Sequence, residues 1–216
     1  MNYLVIDLEM CKVPKNYRRE YKYANEIIEI GAVLLDENYE TVGEFKQYVH
    51  PKYGVLDNFI TSLTGIKNSN LKNAATLREA LENLIAYIGE KEIQVMAWSD
   101  TDYDQLLKEV GAKKILEGSI KHFLLETEWT DYQKTFGNRY GFDKAVGLDE
   151  ALFLANIKPE GRAHDGLVDA ENTARLVKKL ELNPEYQIKR MREDALDHED
   201  IGTSLGDLFA KLGISA

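Results

Sequence analysis

The sequence contains a single cysteine, Cys11, and no long apolar run. One cysteine excludes an internal disulfide. No stretch approaches the ~18 to 20 apolar residues that a membrane-crossing helix needs, and the N-terminus lacks the basic start and apolar run of a signal peptide. We therefore expect a cytoplasmic protein that has no membrane contact.

Positive charge is also scarce. The 216 residues carry 27 Lys and Arg against 37 Asp and Glu, which gives a formal net charge of −10. This balance argues against a protein that coats nucleic acid with a broad basic surface. Local binding stays possible where cations neutralise the phosphates. With 44% hydrophobic residues, the chain can bury one sizeable core, and we expect one domain with a tail.

Strand patterns come first along the chain, and helical patterns follow. Runs rich in β-branched residues predict strands at residues 3–10, 26–36, 44–50 and 93–98, with a hairpin turn between the second and third. Apolar residues at helical spacing predict helices at 76–89, 101–111, 146–157 and 166–182. The segment KHFLLETEW is interpreted as a strand that leads to a helix. This order predicts an α/β fold, with a mixed β-sheet flanked by α-helices.

The first strand ends with two carboxylates, Asp7 and Glu9, in the segment YLVIDLEM. Residues i and i+2 of a strand point to the same side, so both carboxylates share one face beside an apolar core. Like charges this close favour protonation unless a cation lies between them. Because Mg²⁺ takes oxygen ligands, the pair indicates a metal site if further carboxylates join it.

Further carboxylates lie near the starts of two helices. His164 precedes Asp169 by five residues in AHDGLVDAENTARLV, where Asp165 is the predicted N-cap. The segment MAWSDTDYDQLL adds three aspartates, and periodicity alone does not choose a ligand among them. Asp100 has the position of an N-cap, and any of the three would also suit an ordinary solvated helix start. These aspartates are Asp100, Asp102 and Asp104.

Six segments together resemble one known family. They are LVIDLEM, NEIIEIGAVLLDENYE, LTGI, AWSDTDYDQL, VGLDEAL and GRAHDGLVDAENTARL. The order of D-x-E, a mid-chain aspartate and H-x4-D resembles the DEDDh group of 3′-to-5′ exonucleases. The resemblance covers about residues 1–182 and is closest to the branch of enhanced-RNAi exoribonucleases and bacterial sporulation-inhibitor-like exonucleases. It implies a ribonuclease-H-like fold.

The resemblance also implies roles for five residues. In this branch the middle carboxylate precedes a leucine by four residues, which selects Asp102 here, with Asp104 as its substitute. The implied metal ligands are Asp7, Glu9, Asp102 and Asp169, and the implied general base is His164.

The implied chemistry is hydrolysis with two Mg²⁺ or Mn²⁺ ions. The ions would hold the scissile phosphate, activate a water and stabilise the leaving 3′ oxygen. His164 would accept the proton of the water, since histidine is suited to proton transfer near neutral pH. The products would be nucleoside 5′-monophosphates from single-stranded 3′ ends, with RNA favoured over DNA.

A binding pocket for the terminal nucleotide is implied as well. Leu8 and Met10 would contact that nucleotide, and the LTGI segment would shape its pocket through Leu63, Thr64 and Ile66. Core packing is the alternative for Leu8 and for the apolar residues of LTGI.

Other functions stay open at this stage. They are a DNA proofreading-type exonuclease, an endonuclease of the same fold, a binding module without catalysis, and an interaction protein that recruits partners through its tail. The presence of all five implied catalytic residues argues against the binding module.

Two segments lie outside the predicted core. Residues 12–22 follow the carboxylate pair and have five cations against one acid, Glu20, so they form either a phosphate-contacting loop or a solvated one. The five cations are Lys12, Lys15, Arg18, Arg19 and Lys22.

The second segment is a predicted helical extension at residues 183–216, beyond an exonuclease domain at 1–182. Its apolar face would pack on the domain or mediate a dimer or partner contact. That face consists of Leu205, Leu208, Phe209 and Leu212.

Overall fold

Five strands form one mixed sheet in the order β3-β2-β1-β4-β5. The computed structural model describes residues 1–189, except for the side chain of Arg18. β1 pairs antiparallel with β2, and β2 with β3, whereas β1 pairs parallel with β4, and β4 with β5. The strands are β1 (Asn2–Lys12), β2 (Asn25–Leu35), β3 (Thr41–Tyr48), β4 (Ile93–Ala97) and β5 (Glu128–Asp131).

Helices cover both faces of this sheet. A short 3-10 helix (Lys15–Arg19) follows β1. The α-helices of the described part are α1 (Asn58–Thr64), α2 (Asn68–Leu71), α3 (Leu77–Ile88), α4 (Asp100–Ala112), α5 (Gly118–Leu125), α6 (Tyr132–Tyr140), α7 (Leu148–Leu154) and α8 (Gly166–Glu181). The predicted mixed sheet with flanking helices is confirmed.

The alternation of β1 separates the two core layers. Ile6 and Leu8 pack with α3, α4 and α5 on one face, and Val5 packs with α6, α7 and α8 on the other. A smaller cluster lies under α1 and α2 and includes Cys11 and Ile60. Asp7 and Glu9 therefore point toward the layer of α8, because they alternate with Leu8.

The two carboxylates of β1 lie in the part of the strand that extends beyond the end of β4. β4 ends at Ala97, which pairs with Ile6, so residues 7–12 of β1 extend beyond the parallel strand beside them. Crevices outside the carboxyl ends of parallel strands are where open α/β sheets bind ligands. Asp7 and Glu9 lie at such an edge.

Two local predictions are wrong. In KHFLLETEW the order is reversed, because α5 ends at Leu125 and β5 begins at Glu128. Ile120, Phe123 and Leu124 are buried at helical spacing, and a short apolar run does not distinguish this pattern from a strand.

The predicted N-cap at Asp100 is the second wrong prediction. Ser99 is the N-cap of α4, and its hydroxyl accepts a hydrogen bond from the Thr101 N–H at 3.3 Å. Asp100 is instead the first residue of the helix and pairs with Lys134. The N-cap predicted at Asp165 is confirmed, since its side chain accepts from the Val168 N–H.

The described start of the C-terminal extension packs on the domain without forming a helix. The Tyr186 hydroxyl donates to the Ala155 carbonyl, and the Lys189 N–H donates to the Leu154 carbonyl, both at 2.8 Å. The predicted helical face at residues 205–212 lies outside the described residues. Within residues 1–189, the structure contains no helix of the length and apolar character needed to cross a membrane.

Candidate active site

The first two carboxylates are held on β1 by the sheet itself. Asp7 lies opposite Gly31 of β2, and Glu9 lies opposite Glu29, after which the pairing shifts by a bulge. Glu9 is 8% exposed, and Asp7 is partly buried. The strand therefore presents both side chains on one face, as the sequence predicts.

A pair of glycines brings α8 onto that face. A Cβ atom at Gly31 would lie 2.1 Å from the backbone carbon of Gly166, so no side chain fits between the strand and the helix start. Gly166 is the first residue of α8, and Asp169 lies in its first turn. Because Gly31 is opposite Asp7, this close approach carries Asp169 toward the β1 carboxylates.

His164 lies on the loop that leads into α8. Its backbone has φ 61, a left-handed conformation that is uncommon outside glycine. Its N–H donates to Asp169 Oδ2 at 2.8 Å, which fixes both residues relative to each other. One donor atom each from Glu9, His164 and Asp169 lies within 4.8 Å of the others.

α4 supplies Asp102 from the open edge of the sheet. Asp102 is 7% exposed, and its Oδ1 accepts the Leu8 N–H at 3.2 Å. Asp104 is exposed and pairs with Lys108 at 3.0 Å. The structure thus places Asp102, rather than its substitute, beside the β1 carboxylates.

Burial is the main cause of raised pKa values at these carboxylates. Burial, followed by the charges of Asp102 and Asp169, raises the pKa of Asp7 well above its ordinary value. Burial raises the pKa of Glu9 to about 8, with Asp169 adding to the effect. It raises the pKa of Asp102 to about 7 against the hydrogen bond from Leu8.

Asp169 shows the same direction. Burial raises its pKa, while the hydrogen bond from the His164 N–H lowers it. Crowded carboxylates of this kind bind protons when no cation neutralises them. A divalent cation would stabilise their charged forms, and carboxylate oxygens are the ligands that Mg²⁺ and Mn²⁺ prefer. The donor set therefore fits the predicted metal ions.

Sequence reasoning missed Glu29, a fifth carboxylate at this site, which is buried. Its side chain is 1% exposed, and Oε1 accepts the Gly166 N–H at 2.8 Å and lies 3.3 Å from Lys46 Nζ. Within the described residues, Oε2 has no hydrogen-bond partner. Burial raises the Glu29 pKa. The available signal was a charged residue inside the apolar run of β2.

The predicted contacts of the terminal nucleotide are mostly buried. Leu8 is 6% exposed and packs with the core on the face away from Asp7. Met10 packs partly buried against the same cluster. For Leu8 the structure favours the core-packing alternative, and nucleotide contact by Leu8 and Met10 stays a prediction.

The LTGI segment forms the end of α1 and the turn after it. The Thr64 hydroxyl donates to the Ile60 carbonyl at 2.9 Å and accepts the Ile66 N–H at 3.1 Å. Thr64 and Ile66 are buried, whereas Leu63 is partly exposed. Leu63 is therefore the member of this segment best placed to contact a ligand.

Arg162 connects the LTGI turn to the histidine loop. Its Nη2 donates to the Leu63 carbonyl at 3.2 Å and also to the Ser62 carbonyl. Gly65 ends α1 with φ 78, and a Cβ atom there would lie 2.2 Å from Arg162 Nη1. Sequence reasoning missed this contact, because it joins residues 99 positions apart.

Comparison with known proteins identifies the family. A family model described as Exonuclease matches residues 4–177, which is well over half of the chain. The chain belongs to this exonuclease family.

Two curated relatives are exoribonucleases. ERI1 exoribonuclease 2 of Xenopus laevis is 30% identical over 179 residues, which cover 72% of this chain and 25% of the relative. 3′-5′ exoribonuclease 1 of Mus musculus is 28% identical over 170 residues, which cover 74% of this chain and 48% of the relative. The chain thus spans between about a quarter and a half of the length of these relatives.

A solved structure supports the fold. The nuclease domain of 3′hExo, a DEDDh family member bound to rAMP, matches with a TM-score of 0.71 and 24% identity, covering 88% of this chain and 96% of that one. This likeness confirms the predicted ribonuclease-H-like fold.

Proposed function

We propose that this chain is a metal-dependent 3′-5′ exonuclease that releases nucleoside 5′-monophosphates, with RNA as the favoured substrate. The observation that carries the proposal is the convergence of four carboxylates and one histidine at the open edge of β1 in a chain of the exonuclease family. The four carboxylates come from three separate elements. They are Asp7 and Glu9 of β1, Asp102 of α4 and Asp169 of α8.

These four carboxylates would hold two divalent ions, Mg²⁺ or Mn²⁺. Bound there, the ions would supply the positive charge that polarises the scissile phosphate and makes a bound water more acidic. Asp102 is oriented by the Leu8 N–H, and Asp169 by the His164 N–H. In each case one carboxylate oxygen is fixed by the backbone, which leaves the second oxygen for a ligand.

His164 would act as the general base. It is exposed to solvent, and a donor atom of its ring lies within 4.8 Å of carboxylate oxygens of Glu9 and Asp169, so it can contact a water at the edge of the site. Proton acceptance by a positioned imidazole is a common form of general base catalysis. The same position would also suit a metal ligand, and the two roles differ in their effect on metal affinity.

RNA is favoured by the relatives, both of which carry the name exoribonuclease. The DNA proofreading-type alternative uses the same site, because discrimination depends on contacts to the 2′-OH. A non-catalytic binding module of the same fold would not need the histidine beside the carboxylates.

The test uses matched 5′-labelled RNA and DNA oligonucleotides with Mg²⁺ or Mn²⁺. We expect a ladder that shortens from the 3′ end, faster on RNA, with nucleoside 5′-monophosphates as products. Asp7→Asn protein and a substrate with a blocked 3′ end should both give no ladder.

Other product patterns would contradict the proposal in distinct ways. Discrete internal fragments would indicate an endonuclease. Binding without cleavage would indicate a binding module. Equal or faster cleavage of DNA would remove the preference for RNA.

A further inference from the structure

Exposed aromatic and cationic side chains lie next to the end of β1 that carries the active-site carboxylates. We call this region the upstream surface and define it by five residues. Three of them are large apolar or aromatic side chains with unusual exposure: Tyr17 at 41%, Val55 at 52% and Phe59 at 61%. The other two are Lys12 and Lys52, both exposed. Exposed apolar side chains that cluster together indicate a binding surface.

The upstream surface adjoins the candidate active site through two elements. Lys12 follows Glu9 by three residues on β1, about 10 Å along the strand. Phe59 precedes Leu63 by four residues on α1, so the two share a helix face. The parts contact each other, since the Val55 N–H donates to the Lys12 carbonyl at 3.0 Å and Lys12 Nζ lies 5.6 Å from the Phe59 ring centroid.

The ring of Tyr17 packs at the end of a row of aromatic rings. The Tyr17 ring lies 5.8 Å from Tyr53, and Tyr53 stacks on Tyr21 at 5.5 Å. Tyr21 is 1% exposed, and its hydroxyl donates to the Asn25 carbonyl at 2.9 Å. A ring with such a neighbour loses less conformational entropy on binding a ligand than a ring without contacts.

A buried ion network fixes the loop that carries Lys52. The backbone N–H groups of residues 52–54 donate to Glu26 at 2.5 to 3.0 Å, and Glu26 is fully buried. Lys113 lies 2.8 Å from Glu26 and 2.7 Å from Glu109. Buried ion pairs contribute little net stability. This network fixes the position of the loop. None of the proposed catalytic residues belongs to the network.

Positive charge is concentrated around the surface although the chain has a net charge of −10. The surface is formed by residues 12–22 and 52–59, and the exposed acids of these two segments are Glu20 and Asp57. The ion pairs of residues 1–189 involve none of the five exposed cations. These cations are Lys12, Lys15, Arg19, Lys22 and Lys52.

We propose that the upstream surface binds single-stranded nucleic acid about two to four nucleotides before its 3′ end, given the spacing of phosphates along a strand. Bases stack on Tyr17 and Phe59, and phosphates contact Lys12 and Lys52. Base stacking on aromatic rings tolerates any sequence, which suits an enzyme that shortens a strand step by step. This inference rests on the proposed exonuclease function and adds a length requirement to it.

The experiment measures kcat and KM on single-stranded oligonucleotides of two, four, eight and twelve nucleotides. In wild-type protein KM should fall as length increases. Tyr17→Ala/Phe59→Ala protein should bind the eight- and twelve-nucleotide substrates more weakly by roughly 25-fold or more, because two base stacks are lost and each is worth roughly 5- to 100-fold. Its kcat and its kcat/KM on the dinucleotide should equal those of wild type. Tyr17→Phe should retain wild-type KM.

A matched control lies on α7. Phe153 is 58% exposed, and Lys189 Nζ lies 5.0 Å from its ring centroid, a pair that resembles Lys12 and Phe59. Phe153→Ala/Lys189→Gln should leave all four KM values unchanged. Thermal unfolding should confirm that the exposed substitutions leave the fold intact.

Two results would overturn the inference. One is a double variant whose KM for the twelve-nucleotide substrate equals that of wild type. The other is an equal loss on the dinucleotide, which would place the two rings in the active site instead. If wild-type protein cuts nothing, the proposed function fails. Fluorescence anisotropy of the twelve-nucleotide strand then still tests the surface, because binding must weaken in the double variant but not in the control.

Discussion

At the scale of single residues, Asp7 is the carboxylate most constrained by its neighbours. Burial and the charges of Asp102 and Asp169 all raise its pKa, so a cation should be its preferred partner. We expect Asp7→Asn to weaken Mn²⁺ binding by ~10-fold or more, since even outer partners of metal ligands act on that scale. Calorimetric titration measures the affinity, with Asp104→Asn as the matched control. Equal affinity in Asp7→Asn and wild type would exclude Asp7 as a ligand.

His164 separates catalysis from binding. If it is the general base, His164→Ala should lower kcat by roughly 10² to 10⁴ fold and leave Mn²⁺ affinity within error of wild type. Single-turnover cleavage and the same calorimetric titration measure the two quantities. A loss of metal affinity would make His164 a ligand instead, and a wild-type rate in a folded variant would remove it from the mechanism.

The raised carboxylate pKa values predict how the metal-free protein responds to pH. Glu9 has a pKa of about 8 in the folded protein against an ordinary value near ~4.3. Between these values the folded state binds more protons than the unfolded state, so the free energy of unfolding should fall as pH rises. The slope is about 1.4 kcal/mol per pH unit for each such proton. Urea unfolding in EDTA at pH 5, 6.5 and 8, values set by this window, measures the effect.

Glu9→Gln supplies the control for this pH dependence. The neutral amide does not titrate, so the variant should be more stable than wild type at pH 8 in EDTA and should depend less on pH. Adding Mg²⁺ should restore the stability of wild type at that pH. A metal-free wild-type protein that is more stable at pH 8 than at pH 5 would contradict the raised pKa values.

The sequence allowed some site residues to be predicted and left others hidden for a physical reason. Asp7 and Glu9 are two residues apart, and His164 and Asp169 are five apart, so local geometry already places each pair. Glu29 had a visible signal, a charge in an apolar strand. The Arg162 contact had none, because it depends on how α1 meets a loop 99 residues later.

At the scale of elements, the contact between β2 and α8 decides whether the site assembles. Gly31→Ala would place a Cβ atom 2.1 Å from the Gly166 backbone, so the helix must move. We expect a loss of about 1 to 3 kcal/mol in the free energy of unfolding, the usual cost of overpacking. Metal affinity should fall as well, because Asp169 moves with the helix. Urea unfolding and Mn²⁺ titration measure the two effects.

Gly111→Ala is the matched substitution within α4. Among residues 1–189, no atom outside the adjoining backbone of α4 lies within 4 Å of a Cβ there, and alanine is favoured over glycine in a helix by up to ~1 kcal/mol. This variant should be as stable as wild type or more stable, with unchanged metal affinity. If Gly31→Ala behaves like Gly111→Ala, the close approach of α8 is not required.

Element types could be predicted where the pattern was long and not where it was short. The 12 residues of α3 show several turns of apolar spacing, and their prediction is confirmed. The region of α5 and β5 offered only eight and four residues. Over such lengths the apolar spacing suits both a helix and a strand, so tertiary packing decided the order.

At the scale of the whole molecule, the sequence predicted a mixed sheet but not the order of its strands. The order β3-β2-β1-β4-β5 depends on contacts between segments far apart. Within this order, the end of β4 at Ala97 leaves the last residues of β1 open on that side for the carboxylates. The predicted domain boundary at residue 182 also came from local pattern. The boundary was placed where the helical spacing of apolar residues in α8 ends.

The last prediction concerns that boundary. Residues 183–189 pack on α7 through Tyr186 and through the Lys189 N–H, which donates to Leu154. A chain that ends at residue 182 should therefore have a free energy of unfolding roughly 1 to 4 kcal/mol lower than a chain that ends at 189. Full burial of a large side chain contributes ~1.5 to 3 kcal/mol, Tyr186 is partly buried, and a backbone hydrogen bond contributes ~1 kcal/mol. Urea unfolding of the two chains beside the full chain measures the difference. The chain ending at 189 should match the full chain in stability and in exonuclease rate, because the five implied catalytic residues and the contacts of Tyr186 and Lys189 all lie within residues 1–189. Equal stability of the 182 and 189 chains would return the boundary to 182, whereas equal losses in both would make residues 190–216 part of the folded domain. Native mass of the full chain and of the 189 chain then tests association, and a dimer found only in the full chain would assign the apolar tail to that contact.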